Sequence, residues 1–294
     1  MDARCKRALA MDKIMTIVFY VIAGFFLLLL ALITIYVIGN GFKGFSFSLF
    51  KGGRDGIGDQ LFNTVYLVFL SLVISVPIGI TSGIYMAEYA PKNKITHAIQ
   101  ICIETLSSLP SIVLGLFGAL VLIISLKVNV NLMAGAVTVS VLSLPLITTT
   151  TQEALKSLPV RYKEGSYGLG ATKWQTIYKV MLPACFPRII TGIILAAGRG
   201  FGEAAALLYT SGMSTDINWS NWDITSPMCA LNPFRPGQTL SLVIWGARTE
   251  GALHANAEQL ANFASAVLII LVFTFSIGAR VLSQHLDKKA KGNS

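Results

Sequence analysis

Arg199 and Glu203 are the residues of this chain whose types and spacing most invite chemistry. They lie four apart inside a long apolar run, so on a continuous helix they share one face, one turn apart. At about 1.5 Å per residue, Arg199 is roughly 18 Å along that helix from Pro187, near the middle of a bilayer. A charge at that depth costs from about 2.5 to more than 10 kcal/mol unless it faces a polar cavity or a partner. Gly200 and Gly202 surround the pair with little side-chain bulk. Two readings are open. In the first, the pair is an anion site on a transport path. The guanidinium fork matches a tetrahedral oxyanion and keeps its charge when buried. Glu203 orients Arg199 and accepts a hydrogen bond from a protonated oxyanion such as hydrogen phosphate, whereas a dianion without a proton, such as sulfate, is repelled. In the second, the pair is a structural ion pair that fixes helix packing.

The elements that must position this pair are membrane helices. The chain has 294 residues, 54% hydrophobic and 13% charged, against about 25% charged in a soluble domain. A bilayer core of about 30 Å needs about 20 apolar helical residues. Six runs qualify: Ile14–Ile38, Leu61–Tyr85, Ser111–Leu126, Leu132–Thr151, Ala184–Gly212 and Ala261–Leu282. The first is too long, and lacks the small-residue cleavage site, for a signal peptide. Gly79 and Gly83, four apart in the second run, permit a close helix contact. The expected fold class is therefore all-α, a polytopic helical bundle, with Arg199 as the basic residue placed deep in it. A net charge of +9 does not point to nucleic acid, because the basic residues sit between apolar runs and not in a patch with stacking aromatics. Neither the cysteines (Cys5, Cys102, Cys185, Cys229) nor the histidines (His97, His254, His285) have metal-ligand spacing, so no metal site is expected. No nucleophile with a nearby base and no acid pair within a span suggests an enzyme.

Positive charge orients the spans. Arg4, Lys6, Arg7 and Lys13 precede the first, Lys92 and Lys94 follow the second, and Lys288, Lys289 and Lys291 end the chain. Lys156, Arg161, Lys163, Lys173, Lys179 and Arg188 lie between the fourth and fifth. Six spans place all of these on one side, with both termini cytoplasmic. Basic residues on the other side, such as Lys43, Arg54, Arg235 and Arg248, are diluted by Asp55, Asp59, Asp216, Asp223, Glu250 and Glu258. A solvated surface role is expected for Arg235 and Arg248. Ile95–Ser108 places His97, Gln100, Glu104 and Ser107 on one face. It reads as an amphipathic helix near the cytoplasmic surface, broken at Pro110, or as an extension of a tilted third span. Ser108 and Ser111 flank Pro110, where backbone groups are open to a permeant anion. Thr148, Thr149, Thr150 and Thr151 either line the cytoplasmic mouth of a path or bond their own helix carbonyls.

The segment 153–183 between the fourth and fifth spans is the most informative. Pro159 suits a helix start, Gly168 and Gly170 punctuate a turn, and Thr172 suits an N-cap. The next helix aligns Trp174, Ile177, Tyr178 and Met181 on one apolar face. Two short helices thus meet at a glycine turn. Such a piece either inserts into a groove on a soluble partner or is an ordinary amphipathic loop. No nucleotide-binding G-x-x-x-x-G-K-[ST] loop occurs.

This segment resembles the coupling motif of ABC importer permeases, E-A-A, three residues, G, nine residues, I-x-L-P. The chain reads Glu164-Gly165-Ser166, three residues, Gly170, nine residues, Val180-Met181-Leu182-Pro183. The spacing matches throughout, with Gly165, Ser166 and Val180 as mild departures. The resemblance implies a coupling helix that docks on a separate ATPase subunit, with Glu164, Gly165, Ser166, Gly170, Ala171, Leu182 and Pro183 at or beside the dock. A second segment, Arg199-Gly-Phe-Gly202-Glu203-Ala204-Ala-Ala206-Leu207, resembles the R-x-x-G-E-[TS]-A-P-L segment of phosphate permeases, without the hydroxyl at Ala204 and the proline at Ala206. Gly83-Ile-Tyr-Met-Ala-Glu88-Tyr-Ala and Leu109-Pro110-Ser111-Ile-Val-Leu-Gly115-Leu-Phe-Gly118 resemble the end of their second span and the start of their third. The resemblance runs from about Leu61 to the C-terminus and is nearest the PstA type.

It implies the membrane-spanning permease of an ATP-driven phosphate importer in a bacterial or archaeal plasma membrane. Arg199, Glu203, Ser111 and Thr148 are the candidate path residues. The chain itself is expected to bind no cofactor; ATP and Mg belong to the partner. The implied partners are a homologous second permease (PstC type), an ATPase dimer (PstB type), an external phosphate-binding protein (PstS type) and phosphate itself. The expected organisation is residues 1–60 for the tail, first helix and outer loop, 61–283 for the permease domain, and 284–294 for a basic tail. The alternatives are a permease for another oxyanion, such as sulfate or molybdate, and a stand-alone secondary transporter or channel.

Overall fold

The computed structural model describes residues 3–43, 47–53, 56–215, 217–249 and 257–290. Arg54, Asp55, Asp216, Glu250, His254 and Lys291, weighed above for charge or metal spacing, lie outside these residues, as do the side chains of Arg4, Lys6, Arg7, Lys288 and Lys289. Every regular element among the described residues is helical, as the apolar runs require. Helix α1 spans Ala3–Gly41, and α2 spans Gly58–Ile84 and continues through a wide π turn, Tyr85–Tyr89. Helix α3 (Lys94–Ser108) precedes α4 (Ser111–Gly118), which also continues as a π turn over Ala119–Ile124. Helix α5 is Leu132–Lys156 and α6 is Arg161–Gly168. The short α7 (Lys173–Thr176) runs through a π turn, Ile177–Met181, into α8 (Leu182–Gly202). Then come α9 (Ala205–Thr210), α10 (Leu240–Thr249) and α11 (Ala257–Ala290).

Among the described residues, five continuous helical stretches are long and apolar enough to cross a bilayer: Met11–Gly41, Gly58–Tyr89, Leu132–Lys156, Lys173–Gly202 and Ala257–His285. A sixth stretch passes the same test only as a bent pair, α3 with α4 and its π turn, which meet at 100°. Pro110 is the cause, because it holds the preceding Leu109 in extended backbone (ψ 137°) and cannot continue α3. Helix α3 is thus a separate element, broken at Pro110, and not a straight extension of the third span. On one face of α3 the Gln100 amide donates to Glu104 at 3.0 Å, so the partner of Glu104 is this amide. On the other, Ile99, Ile103 and Leu106 wall an apolar cavity of ≈ 500 Å³ against α2 and α5.

Helices α2 and α5 form the most extensive contact in the chain. A Cβ added at Gly79 would stand 2.7 Å from Ile147, and one at Gly83 would stand 2.6 Å from Thr151. The two glycines thus do allow the close approach that their spacing suggests. Alongside, the Ser140 hydroxyl is shared between the Ala136 carbonyl of its own helix at 2.6 Å and the Ser71 carbonyl across the seam at 3.1 Å. Helix α8 packs on another flank of α5, where Gly192 meets Thr150. Helix α1 is tied mainly at its end, where Gly41 abuts Ala266 and Asn262.

The segment after α9 is a compact cap, and here the structure corrects an expectation. Arg235 is not solvated: its side chain is 1% exposed and lies among polar groups of α2 and the cap. Its guanidinium donates to Asn63 Oδ1 at 2.6 Å and to the Ala230 and Pro236 carbonyls. Burial pushes this guanidinium below its ordinary value, opposed by Tyr66, Asp59 and Cys229. A buried guanidinium has five donors to satisfy, and the cap is folded around them. Tyr66 donates to the Leu231 carbonyl at 2.7 Å, and the Trp219 indole donates to Asp59 at 2.9 Å. Arg248 keeps an exposed position.

Gly83→Leu should lower the stability of the detergent-solubilised protein by about 1–3 kcal/mol, because the added side chain meets the α5 backbone. The measurement is a fall in Tm. Gly24→Leu, where a Cβ meets nothing within 4 Å, should leave Tm unchanged.

Candidate functional site

Helix α8 buries one stripe, Cys185, Ile189, Gly192, Ala196 and Gly200, against the chain's own core. The opposite stripe, Ala184, Arg188, Thr191, Leu195, Arg199 and Gly202, is exposed. Arg199 therefore points away from this subunit, near the C-terminal end of α8, with no ion pair to any described residue. A cation on the outward face of a membrane helix needs a water-filled path or a second protein beside it.

The expected Arg199/Glu203 pair does not form. Helix α8 does not run through to Gly212; it begins earlier, through α7 at Lys173, and ends at Gly202. Glu203 is extended (ψ 116°), which rotates it off the helical face that Arg199 occupies. It is 8% exposed. Its carboxylate accepts the Ala206 backbone N–H at 3.3 Å, and its carbonyl accepts the Ser241 hydroxyl at 2.7 Å. Glycines at 200 and 202 lower the helical preference just before this break. The break is satisfied from within the protein, as non-helical backbone at membrane depth must be. Glu203 is thus a hinge between α8, α9 and the start of α10.

Ser111 and Thr148 do not join Arg199 either. Ser111 is the first residue of α4 and is partly exposed. Thr148 is 3% exposed and borders the cavity walled by α2, α3 and α5. Arg199 lies on α8, which packs on a different flank of α5. Of the four threonines, Thr149 and Thr150 donate to the carbonyls of Pro145 and Leu146, at 2.9 and 2.7 Å. Thr151 is fully buried.

The segment 153–183 has an anchored base and a bare tip. At the tip, Glu164, Gly165, Gly168 and Gly170 are exposed, and Leu169 is 92% exposed. Gly170 has φ +81°. Its N–H donates to the Tyr167 carbonyl, and the Ala171 N–H reaches back to the Ser166 carbonyl at 3.2 Å. This pair of bonds is a Schellman stop, which places a glycine in the left-handed region. Across the turn the Ser166 and Thr176 hydroxyls lie 2.9 Å apart. Thr172 caps α7 in a reciprocal capping box with Gln175, as its position suggests. Leu182 packs at the edge of the core, and Pro183 sits in the first turn of α8.

The apolar face expected across 174–181 is split. Ile177 and Met181 are 1% exposed and join Ile84, Ala154 and Leu155 in the core. Trp174 and Tyr178 stack on each other at 6.3 Å and stay exposed. The π turn over Ile177–Met181 changes the angle between successive side chains, so 3.6-residue spacing no longer sorts them.

Sequence reasoning assigned no role to Glu88, which turns out to hold the base. Its side chain is 7% exposed and pairs with Lys163 at 2.6 Å. Its backbone carbonyl accepts from Lys173, whose ammonium also lies 4.3 Å from the Tyr89 ring centroid. The available signal was a lone carboxylate at the end of an apolar span facing a basic segment.

A family model for the binding-protein-dependent transport system inner membrane component matches residues 79–292. The chain is 42% identical over 289 residues to the probable ABC transporter permease protein YqgI of Bacillus subtilis (strain 168), covering 96% of this chain and 98% of that one. It is 33% identical over 218 residues to the phosphate transport system permease protein PstA of Yersinia pestis, covering 69% of this chain and 72% of that one. Among solved structures, a bacterial ABC transporter involved in import of the acidic polysaccharide alginate aligns with TM-score 0.64 at 15% identity, over 96% of this chain and 99% of that one. The inward-facing MetNI methionine ABC transporter aligns with TM-score 0.56 at 19% identity, over 79% and 94%. At such identities the structural likeness bears on the fold alone.

Gly170→Ala should destabilise the turn by about 1–2 kcal/mol, since a Cβ is strained at positive φ. Gly165→Ala, inside α6 with nothing within 4 Å of the added carbon, should instead stabilise it by about 1 kcal/mol. Hydrogen exchange of the 161–173 amides reads both signs.

Proposed function

We propose a cargo and a mechanism for a chain that belongs to the binding-protein-dependent transport system inner membrane component family and is therefore an ABC importer permease subunit. The cargo is phosphate. The chain supplies one half of the path, and a homologous second permease (PstC type) supplies the other. A PstB-type ATPase dimer binds the coupling segment and holds ATP and Mg. A PstS-type protein delivers phosphate from outside. The coupling segment and both termini face the cytoplasm.

The observation that carries this reading is the outward aim of Arg199. The residue stands within a span, on the face turned away from its own subunit, with no ion pair to any described residue. A partner permease on that face would enclose a slot with a guanidinium on its wall. A guanidinium donates two parallel hydrogen bonds to an oxyanion. In the slot, with water reduced, those bonds are stronger than in bulk. Glu203 is a positioning residue. By ending α8 and capping α9 it sets the turn from which Arg199 projects. Ser111 and Thr148 take part through packing, at the start of α4 and within α5, away from the guanidinium. The PstA relatives support phosphate as the anion, because the Arg199–Glu203 segment lies in the region shared with them.

Coupling follows from the anchored base and bare tip. Leu169, with Glu164 and Gly165 beside it, is offered to a groove on the ATPase, as short helices are. ATP binding draws two such segments together. Because Glu88 joins the segment to α2, and Ile177 and Met181 join it to α5, the movement passes into the helices and reorients the Arg199 face. Hydrolysis resets it.

Arg199→Ala should lower ATP-dependent phosphate uptake into proteoliposomes by at least about a hundredfold while the complex still co-purifies with its ATPase. Uptake at the wild-type rate would reduce the arginine to a surface residue. Excess sulfate should leave uptake unchanged; inhibition by sulfate and not by phosphate would replace the cargo. Gly170→Arg should abolish co-purification of the ATPase, and recovery of a full complex from that variant would remove the docking role.

A further inference from the structure

The exposed stripe of α8 carries a second cation that the function above leaves unused. Arg188 precedes Arg199 by eleven residues, just over three helical turns. The two therefore stand on one face, roughly 16 Å apart along the helix. Between them the stripe offers Thr191 and Leu195 and no other charge. Arg199 is near the end of α8, and Arg188 is near its start, where the coupling segment feeds in. Helix α5 runs alongside in the opposite direction. Gly192 abuts Thr150, and a Cβ at Gly200 would reach Val139 at 3.5 Å. This register brings Glu153, in the last turn of α5, opposite Arg188.

The Arg188–Glu153 pair is loose. Its N–O distance is 3.8 Å, too long for a hydrogen bond, and the two side chains are 54% and 68% exposed. No hydrogen bond joins Arg188 to any described residue. Two other charged groups of the chain are spent within the fold. Arg235 is used by Asn63 and two carbonyls, and Glu88 by Lys163 at 2.6 Å. Arg188 instead keeps a carboxylate nearby and its N–H donors open. An exposed pair of this kind contributes little, so an oxyanion that takes two parallel hydrogen bonds outcompetes it.

On the reading that Arg199 lines the path, we propose that Arg188 is a second oxyanion station at the coupling-side end of that path, with Glu153 as the carboxylate that yields it. An anion moving inward from Arg199 meets no other cation on the α8 stripe until Arg188. Two of its oxygens take the guanidinium N–H groups that the 3.8 Å separation leaves unbonded. Along the way, the Thr191 hydroxyl donates to the Pro187 carbonyl at 3.0 Å, which leaves its oxygen to accept from a protonated oxyanion. Glu153 then repels the bound anion and competes for the same guanidinium, so residence at the exit is short. A cation alone would retain the anion, and a cation locked to its carboxylate would not take it. The loose pair does neither.

The test uses the assembled transporter in proteoliposomes, with the coupling segment and ATP in the lumen and phosphate-loaded binding protein outside. Arg188→Gln should lower the maximal uptake rate about fivefold at unchanged half-saturation, and Arg188→Lys should keep most of it. Inorganic phosphate added to the lumen should slow wild-type uptake by occupying Arg188. Arg188→Gln should need about fivefold more lumenal phosphate for the same slowing. Glu153→Gln, which removes the competing carboxylate, should need less. A pair that only braces α5 against α8 would leave the lumenal effect unmoved. Uptake and lumenal inhibition at wild-type values in Arg188→Gln overturn the proposal. So does loss of the assembled complex in Arg188→Gln and Arg188→Lys alike, which would make the pair a brace. Arg199→Ala, run beside them, separates this station from its premise. Normal uptake by that variant would remove the path and the station together. An inactive Arg199→Ala beside a wild-type Arg188→Gln would remove the station alone.

Discussion

Helices α2 and α5 approach so closely that Gly79 and Gly83 have no room for a side chain, and much else hangs from that contact. It fixes the end of α2, where the π turn over Tyr85–Tyr89 aims Glu88 at the coupling segment. It also fixes the end of α5, from which α6 departs. The two ends of the coupling segment are thus referred to one rigid pair. In lipid there is little hydrophobic drive between helices, so close packing and hydrogen bonds carry the association. The Ser140–Ser71 bond and the interlocked Ile147 and Thr151 supply both. A looser seam would let the base of the coupling segment tilt independently of the spans.

The second organising fact is the break at Glu203. An unbroken helix to Gly212 would have placed Arg199 and Glu203 together, neutralised the arginine within the subunit and closed the face that now looks outward. The break separates the charges. Glu203 spends its carboxylate on the Ala206 N–H and its carbonyl on Ser241, so the chain can turn into α9 without stranding backbone groups. The outward arginine has no ion pair to any described residue, so among them its charge is unmatched. A permease working as one of two chains has a use for such an unmatched charge; a stand-alone transporter would have to enclose it.

The sequence made some of this legible because the physics was local. That the apolar runs are helical follows from hydropathy, although the fifth starts at Lys173 and stops at Gly202, and the bend at Pro110 follows from the restriction it puts on Leu109. The Thr172 cap follows from its own side chain, and the glycine turn from the Gly170 backbone. Reading failed where periodicity was assumed to continue. The π turn at Ile177–Met181 split Trp174 and Tyr178 from Ile177 and Met181, and the extended backbone at Glu203 undid an i, i+4 pair. It failed again for Arg235, whose partners Asn63, Ala230 and Pro236 are distant in sequence or are backbone groups. Charge counting assigned it to solvent, while the fold wraps a cap around it. Glu88 was visible as an acidic residue near basic ones, yet which lysines it would meet depended on the α2–α5 register.

The coupling segment shows why these two kinds of information divide as they do. Its tip is specified locally: a Schellman glycine, a capping box and an exposed Leu169 need only neighbours in the chain. Its base is specified globally, through Glu88, Ile84, Ala154 and Leu155. A piece that transmits force between two bodies, the role proposed for this segment, would need both. A tip held by local bonds keeps its shape when the partner changes, and a base held by distant helices moves only when they move. The carboxylate of Glu88 binds Lys163 before the turn, and its carbonyl binds Lys173 after it, so both strands leading to the tip are tied to one residue of α2. Displacing the tip without displacing α2 would have to break a pair whose acid is almost fully buried, and leaving a buried carboxylate unpaired is costly. The lower-energy response is for α2, and α5 with it, to follow.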